Sequence, residues 1–298
     1  MIFSSRRHLT IRYVLLFTGL FLFAHETPFL SAYTSAPQQI AAIEDLWIDM
    51  RIGPPLVPLF NAAARENDIA RVEHPSQIGQ LNEIKNGRKM VIFKSVEETE
   101  RLLPDMASEI DIIGYNLEHG PATPAGEQQD PVESIQKMRE LADAYDLELA
   151  FGPDHDFALS HGVDIAPFVD IFVLQIQRQQ TKPQIVAEFV EPIVPQLREA
   201  NPDVEISVQV RTEGDVGAIV DLIGSLSANL DGISILTSPE TVDVAQELTI
   251  ALRPNAATPW QRLGRYSTII ILAVVGLILL AGVLIYRRHQ AAKGVNMS

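Results

Sequence analysis

Between residues 90 and 252 the chain alternates short apolar runs with longer stretches whose apolar residues recur every three or four positions. The first pattern predicts strands at Met90–Lys94, Ile110–Leu117, Leu147–Gly152, Val169–Ile176, Val204–Val210 and Gly232–Leu236. The second predicts helices at Ser95–Met106, Pro131–Tyr145, Pro183–Ala200, Asp215–Ser227 and Pro239–Leu252. Strands separated by helices of this length favour parallel pairing, because a parallel connection needs a crossover. Segment 52–89 has room for one or two more strands, around Leu56–Phe60 and Ile69–Val72, which completes an eight-stranded count. The expected class is therefore α/β, a (β/α)8 barrel, with a doubly wound open sheet as the rival. No internal repeat stands out.

Two further apolar segments flank this body. Ser267–Tyr286 runs twenty residues without a charge and is followed by Arg287, Arg288 and His289. At about 1.5 Å per residue it reaches roughly 30 Å, the thickness of a bilayer core, and it predicts a transmembrane helix. Near the other end Arg6, Arg7 and Arg12 precede the apolar run Tyr13–Ala24, the grammar of a signal peptide or an N-terminal anchor. The predicted organisation is a leader or anchor at 1–36, a barrel at 37–253, a linker at 254–266, the span at 267–286 and a basic tail at 287–298. Basic residues beside both apolar segments orient the body outward, a single-pass cell-membrane protein with an extracytoplasmic domain, although Arg262 and Arg265 weaken the asymmetry.

Charge narrows the partners. Eight of the 23 basic residues and one of the 38 acidic ones lie outside 37–261, leaving 15 against 37 within it, a formal charge of −22. Such a body repels phosphate, so nucleic acid is not an expected partner. The chain has no cysteine, which excludes disulfides, thiolate metal sites and cysteine nucleophiles. No GxGxxG, GxxxxGK[ST] or GxSxG motif follows a strand, so no cofactor is expected.

Polar residues inside the strands carry the candidate chemistry. In Val204–Arg211, Ser207, Gln209 and Arg211 share one face and Ile206, Val208 and Val210 the other, as the two-residue strand period requires. Gln175 and Gln177, Asn116 and Glu118, and Asp154 repeat the pattern near the ends of other strands. In a barrel these ends form one face, so the residues are expected to converge on a polar pocket for a hydroxyl-rich ligand such as carbohydrate.

The strand Asp111-Ile-Ile-Gly-Tyr-Asn-Leu-Glu118 reads DxxGxNxE. It resembles the DxxDxDxE strand of chitinase-like glycosidases of family 18, whose final Glu donates a proton to the glycosidic oxygen. Val169–Gln177 and Asp231–Leu236 are similar to two later strands of that family. The resemblance covers roughly Asp111–Leu236 and implies Glu118 as general acid; the pocket expected at the strand ends supplies Asn116, Asp154, Gln175, Gln177, Arg211 and Glu213 as ligand-binding residues. It departs from the family at Gly114 and Asn116, and no tryptophan lies between Ile48 and Pro259 to stack on a sugar. A binding or scaffold protein without catalysis is the alternative, and Glu118 has the further option of pairing with Arg211 or Arg178. A third reading takes Glu118, His119, Asp154, His155, Asp156 and His161 as oxygen and imidazole ligands of a metal, although their spacing matches no ligand signature.

Overall fold

The computed structural model describes residues 43–254, so the leader or anchor at 1–36, most of the linker, the span at 267–286 and the basic tail lie outside the described residues. Among the described residues no helix is long and apolar enough to cross a membrane. Eight strands close on themselves in chain order, β1 (Trp47–Arg51), β2 (Ile69–Val72), β3 (Arg88–Phe93), β4 (Ile112–Tyr115), β5 (Glu148–Phe151), β6 (Ile171–Gln175), β7 (Glu205–Arg211) and β8 (Gly232–Leu236). Every pair is parallel, and β1 meets β8 in register from Trp47↔Gly232 to Met50↔Ile235, which rules out the open sheet.

The α-helices between and after them are α1 (Val57–Ala63), α2 (Val96–Leu102), α3 (Ala125–Gln129), α4 (Pro131–Ala144), α5 (His155–Ile165), α6 (Pro183–Ala200), α7 (Val216–Leu226) and α8 (Val242–Leu252). A 3-10 stretch, Pro75–Glu83, takes the place of an α-helix between β2 and β3. One expectation is corrected here, and two elements were not expected. Leu56–Phe60 is not a strand but the start of α1, whose buried Val57 and Phe60 stand three apart and whose first turn carries Pro58. The strand β1 and the helix α5 escaped the periodicity, the first because Asp49 and Arg51 interrupt its apolar character, the second because His155, Asp156, Ser160 and His161 do the same.

Alternation along the strands divides the apolar residues into two cores. Trp47, Ile69, Met90, Ile92, Ile112, Ala150, Ile171 and Val173 fill the inside of the barrel. Residues on the other strand face, among them Met50, Val91, Phe93, Ile113, Phe151, Phe172, Val208 and Ile235, belong to the larger core. Fully burying a phenylalanine of this kind contributes about 1.5–3 kcal/mol. Trp47 closes the N-terminal end from within: a Cβ on Gly232 would lie 2.1 Å from its ring, and Arg88 stands over that ring at 5.9 Å. Arg88 also bonds Glu148 at 2.7 Å and Glu205 at 3.2 Å, while its Nε and the Trp47 indole N–H are buried without a hydrogen-bond partner among the described residues.

A repeated device ties the N-terminal rim together. Each even-numbered strand is preceded by an aspartate whose carboxylate accepts a backbone N–H at the start of the preceding odd strand. Asp68 accepts from Ile48, Asp111 from Lys89, Asp170 from Leu149 and Asp231 from Ile206, all at 2.7–2.8 Å. Three of them are met by an arginine from the end region of a helix: Asp68 by Arg253 at 3.1 Å, Asp170 by Arg139 at 2.6 Å and Asp231 by Arg198 at 2.8 Å. For the fourth, Asp111, the equivalent connection is the one between β2 and β3, where the 3-10 stretch takes the place of an α-helix. The barrel thus carries a fourfold pattern of paired strands that the amino-acid sequence alone does not display.

Candidate functional site

A hollow opens inside the barrel toward the C-terminal strand ends, lined by Asp49, Arg71, Asn116, Gln209 and Ser234 on its polar side and by Met90, Ile92, Ala150 and Val173 on its apolar side. Counted with its mouth it holds about 240 Å³. Its enclosed part is only about 10 Å³, room for roughly one water molecule, so anything larger has to occupy the open mouth above the floor. Gly114 and Gly152 keep it open. A Cβ at Gly114 would come within 2.2 Å of the Ile92 side chain, and one at Gly152 within 2.8 Å of the Asn116 amide oxygen.

The floor is an ion cluster that the sequence reading missed. Arg71 from β2 donates its Nε–H to both carboxylate oxygens of Asp49 from β1 at 2.9 Å, and its Nη1 meets Glu73 just past β2. Ser234 from β8 donates to Asp49 at 2.7 Å, and Gln209 from β7 reaches the Ser234 hydroxyl at 3.4 Å. Asp49 and Arg71 are only 1–2% exposed. Burial pushes the Asp49 carboxyl above the ordinary carboxylate range, against the pull of Arg71 and Ser234. For Arg71, burial works against the charge, but Asp49 and Glu73 outweigh it and hold the guanidinium protonated. The available signal was an Asp and an Arg at inward positions of short strands, WIDMR and IARV, where an unpaired charge is too costly to bury.

Above this floor the structure brings together four of the predicted residues. Gln177 donates to the Gln175 amide oxygen at 2.9 Å, and Gln175 donates to the Gly152 carbonyl at 3.0 Å and, at the long distance of 3.5 Å, to Glu118. Asn116 lines the hollow next to them. Asp154 is buried beside this group but serves the loop after β4, accepting the His119 N–H at 2.8 Å, and Arg178 approaches it at 3.7 Å. The expected alternative of a Glu118–Arg178 pair is therefore not formed; Arg178 goes to Asp154. Arg211 ends β7 at the mouth, its backbone held by Gln180 at 2.8 Å, while Glu213 lies exposed on the following loop with only its carbonyl held, by the same glutamine.

The loop carrying Glu118 is pinned at both ends. Gln128 donates to the Gly120 and Thr123 carbonyls at 2.8 and 2.6 Å, and the Glu118 N–H reaches Thr123 Oγ1 at 3.3 Å. Gly120 adopts φ +117°, a conformation that favours glycine.

The metal reading dissolves into separate contacts. His119 meets Asp156 at 2.6 Å and stacks on Phe157 at 4.4 Å, whereas His155 turns away to Phe189 at 4.0 Å. Among the described residues no group of three or more histidine or acidic side chains gathers as a metal site.

The His119–Asp156 contact predicts a titration. The hydrogen bond that His119 donates to the Asp156 carboxylate raises the His119 pKa and lowers that of Asp156. The histidine's contribution is whole below its ordinary pKa of about 6.5 and is lost as pH rises through the raised value; the aspartate's is whole above about 3.9 and is lost as pH falls through the lowered one. The clasp is thus complete between about pH 4 and 6.5. In Asp156→Asn, the His119 titration followed by NMR is expected to move down toward about 6.5, and an unmoved midpoint would show that the clasp does not form in solution.

Closed parallel topology and a polar hollow at the C-terminal strand ends define this chain as a (β/α)8 barrel with its candidate site on the face where such barrels carry theirs. No family model and no curated protein matches the sequence. Among solved structures it is similar to 3-keto-L-gulonate-6-phosphate decarboxylase from Vibrio cholerae, with 11% identity over 71% of this chain and 97% of that one and a TM-score of 0.47. It is also similar to the carboxyl transferase domain of Rhizobium etli pyruvate carboxylase, with 10% identity over 77% of this chain and 47% of that one and a TM-score of 0.48. A truncated 3-deoxy-D-arabino-heptulosonate 7-phosphate synthase from Thermotoga maritima follows at 13% identity, 49% of each chain and a TM-score of 0.33.

None of these is a chitinase-like glycosidase, and the family resemblance is corrected accordingly. Its source is visible in the fold. The three segments that carried it begin at Asp111, at Val169-Asp170 and at Asp231, and all three aspartates belong to the N-terminal rim, the opposite end from Glu118. They recur because a strand start needs an acceptor there, and they are not parts of an acidic catalytic strand. The aromatic ring on the barrel axis, Trp47, likewise closes the N-terminal end and is 6% exposed, so it offers no sugar platform.

Proposed function

We propose that this chain is a binding protein for a single small, hydroxyl-rich molecule, held at the C-terminal mouth of the barrel, and that Ser267–Tyr286 tethers the barrel to a membrane. The observation that carries the ligand class is the run of amides Gln177, Gln175 and Asn116 beside the hollow, ending on Glu118. A primary amide both donates and accepts, which matches a hydroxyl group, and it does so without a charge that would demand a counter-ion. Glu118 adds an acceptor beside them, and Gln209 a fourth amide on the floor below. Arg211 borders the mouth from β7. The carboxylate that stands nearest the amides meets an amide and not a second carboxylate, which supports recognition in preference to the paired-carboxylate chemistry of glycoside cleavage.

The test is calorimetric titration of the detergent-solubilised full chain with a panel of free monosaccharides, cyclitols and linear polyols. At least one is expected to bind saturably, and Gln175→Leu and Asn116→Leu are each expected to weaken it about tenfold or more, the effect of removing roughly 1.4 kcal/mol of polar contact. Gly79→Ala, remote from the hollow, is the control and should leave affinity unchanged. Absence of binding across the panel, or equal affinity in the two leucine variants, rejects the reading.

A further inference from the structure

We propose that the ligand carries a carboxylate, seated between the guanidiniums of Arg51 and Arg211 at the mouth of the barrel. This rests on the reading of a small hydroxyl-rich ligand and adds its chemical class, a polyhydroxy acid. The strand period places both arginines. On β1, Trp47 lies inside the barrel and Asp49 lines the hollow, so Arg51, two residues on, takes the same interior face one layer higher. On β7, Gln209 lines the hollow and Arg211 follows it in the same way. Met50 and Val210, the alternate residues, belong to the larger core. The strand between them sets the spacing. Met50 pairs with Ile235 and Arg211 with Leu236 on β8, which brings Arg51 and Arg211 level, one on each side of Leu236. At about 4.8 Å per strand step their backbones stand roughly 10 Å apart, close enough for two long side chains to meet on one group.

Neither guanidinium has a counter-ion. Among the described residues the arginine ion pairs engage Arg71, Arg88, Arg139, Arg178, Arg198 and Arg253, and leave out Arg51 and Arg211. Both of these are half-buried. The body from 37 to 261 carries 37 acidic residues against 15 basic ones, so a carboxylate is the easiest partner for a basic side chain to find. Arg71, the register partner of Arg51, already takes up Asp49 and Glu73. Two level cations without an acid, on such a body, leave a place for an anion that arrives from solution.

The backbone around them favours a carboxylate over a phosphate. Phosphate sites draw on free N–H groups at a helix start or a turn. Here the N–H of Ile52 goes to the Arg71 carbonyl at 2.7 Å, that of Arg211 to Gln180 at 2.8 Å, that of Thr212 to the Leu236 carbonyl at 3.2 Å and that of Ser238 to Thr241 at 3.1 Å. What remains is the planar fork of a guanidinium, which matches the two oxygens of a carboxylate. The mouth is thereby polarised. Gln175 pairs with Gln209 on the β7 side, and β4, with Asn116 and Glu118 just past its end, stands opposite β8 in the ring of eight. A polyhydroxy acid fits with its head at β7 and β1 and its hydroxyls over the amides, which keeps its charge across the mouth from Glu118.

Calorimetric titration of the detergent-solubilised full chain compares matched probes: glucitol with gluconate, glucose with glucuronate, propionate as a carboxylate without hydroxyls, and phosphorylated glucose. Each polyhydroxy acid is expected to bind about tenfold or more tighter than its neutral counterpart and than propionate. Arg51→Gln and Arg211→Gln are each expected to abolish that preference while leaving the neutral affinities unchanged, which also shows that the variants fold. Arg51→Lys and Arg211→Lys, which keep the charge without the fork, should retain part of it. Lys85→Gln, exposed before β3, makes the same change in net charge at the other end of the barrel and should keep the preference whole. Neutral probes that bind as tightly as the acids, or a preference that survives both glutamine variants, overturn the carboxylate seat and leave the hydroxyl reading standing. Tighter binding of phosphorylated glucose than of glucuronate overturns the choice of anion. Propionate equal to gluconate refutes the hydroxyl reading, and the polyhydroxy acid with it.

Discussion

Arg71→Met is expected to lower the free energy of unfolding by about 3–5 kcal/mol, the cost of breaking a buried ion pair from one side. The guanidinium holds both oxygens of Asp49 at 2.9 Å and also meets Glu73, and without it two carboxylates crowd the floor of the hollow with Ser234 as the main remaining donor. Removing both charges changes the sign of the argument. Asp49→Leu with Arg71→Met leaves no charge from this pair to desolvate, and such replacements are neutral or stabilising by about 1–4 kcal/mol. The double variant is therefore expected to regain most of the stability while changing the floor beneath the ligand. Equilibrium urea unfolding with an unchanged slope measures both.

The loss should also depend on pH. Burial already raises the Asp49 pKa, so the native state holds its proton more tightly than the unfolded chain does. That contribution is whole below the ordinary value of about 3.9 and declines as pH rises toward the native one. Taking away Arg71 removes the main force that opposes the rise, so the destabilisation is expected to be larger at pH 8 than at pH 4. A single variant that loses less than about 1 kcal/mol at pH 8 would place this pair among ordinary surface contacts and refute the account.

Asp68→Ala should cost a similar amount, about 3–5 kcal/mol, while the chemically equivalent Asp170→Ala should cost only about 1. Both aspartates perform the same task at the N-terminal rim. Asp68 receives the N–H groups of Ile48 and Arg65 at 2.7 and 2.8 Å and the guanidinium of Arg253 at 3.1 Å. The Asp68 and Arg253 side chains are 3% and 4% exposed, so the alanine variant strands a buried cation. The Asp170 side chain is 46% exposed, and water replaces much of what it supplies to Arg139 and Leu149. Thermal or urea unfolding of the two variants side by side checks the contrast, and equal losses would mean that burial does not set the strength of the rim clasps. Asp68→Asn, which keeps an acceptor for Ile48 but drops the charge, should fall between.

Much of the architecture was legible because strand and helix periods are local. Six strands, five helices and the inward set Asn116, Gln175 and Gln209 can be read from neighbours two or four residues away. Leu56–Phe60 was misread because a run of five with apolar residues at three spacings satisfies either period, and only the packing of Val57 and Phe60 against the barrel settles it. The position of Glu118 just past the end of β4 follows from the strand pattern, but its neighbour does not. Nothing near residue 118 announces that Gln175, 57 positions onward, stands at 3.5 Å.

What the amino-acid sequence determined by itself was the alternation of elements, the face each strand residue takes, the absence of thiol chemistry and the two apolar flanks. Tertiary structure alone decided that the sheet closes, that Asp49 finds Arg71 22 residues away and Ser234 185 away, and that Asp68, Asp111, Asp170 and Asp231 form one rim. The division has a physical cause. Side-chain direction follows from backbone geometry within a few residues, whereas the partner of a buried charge is chosen by closure of the barrel, which brings the first strand against the last.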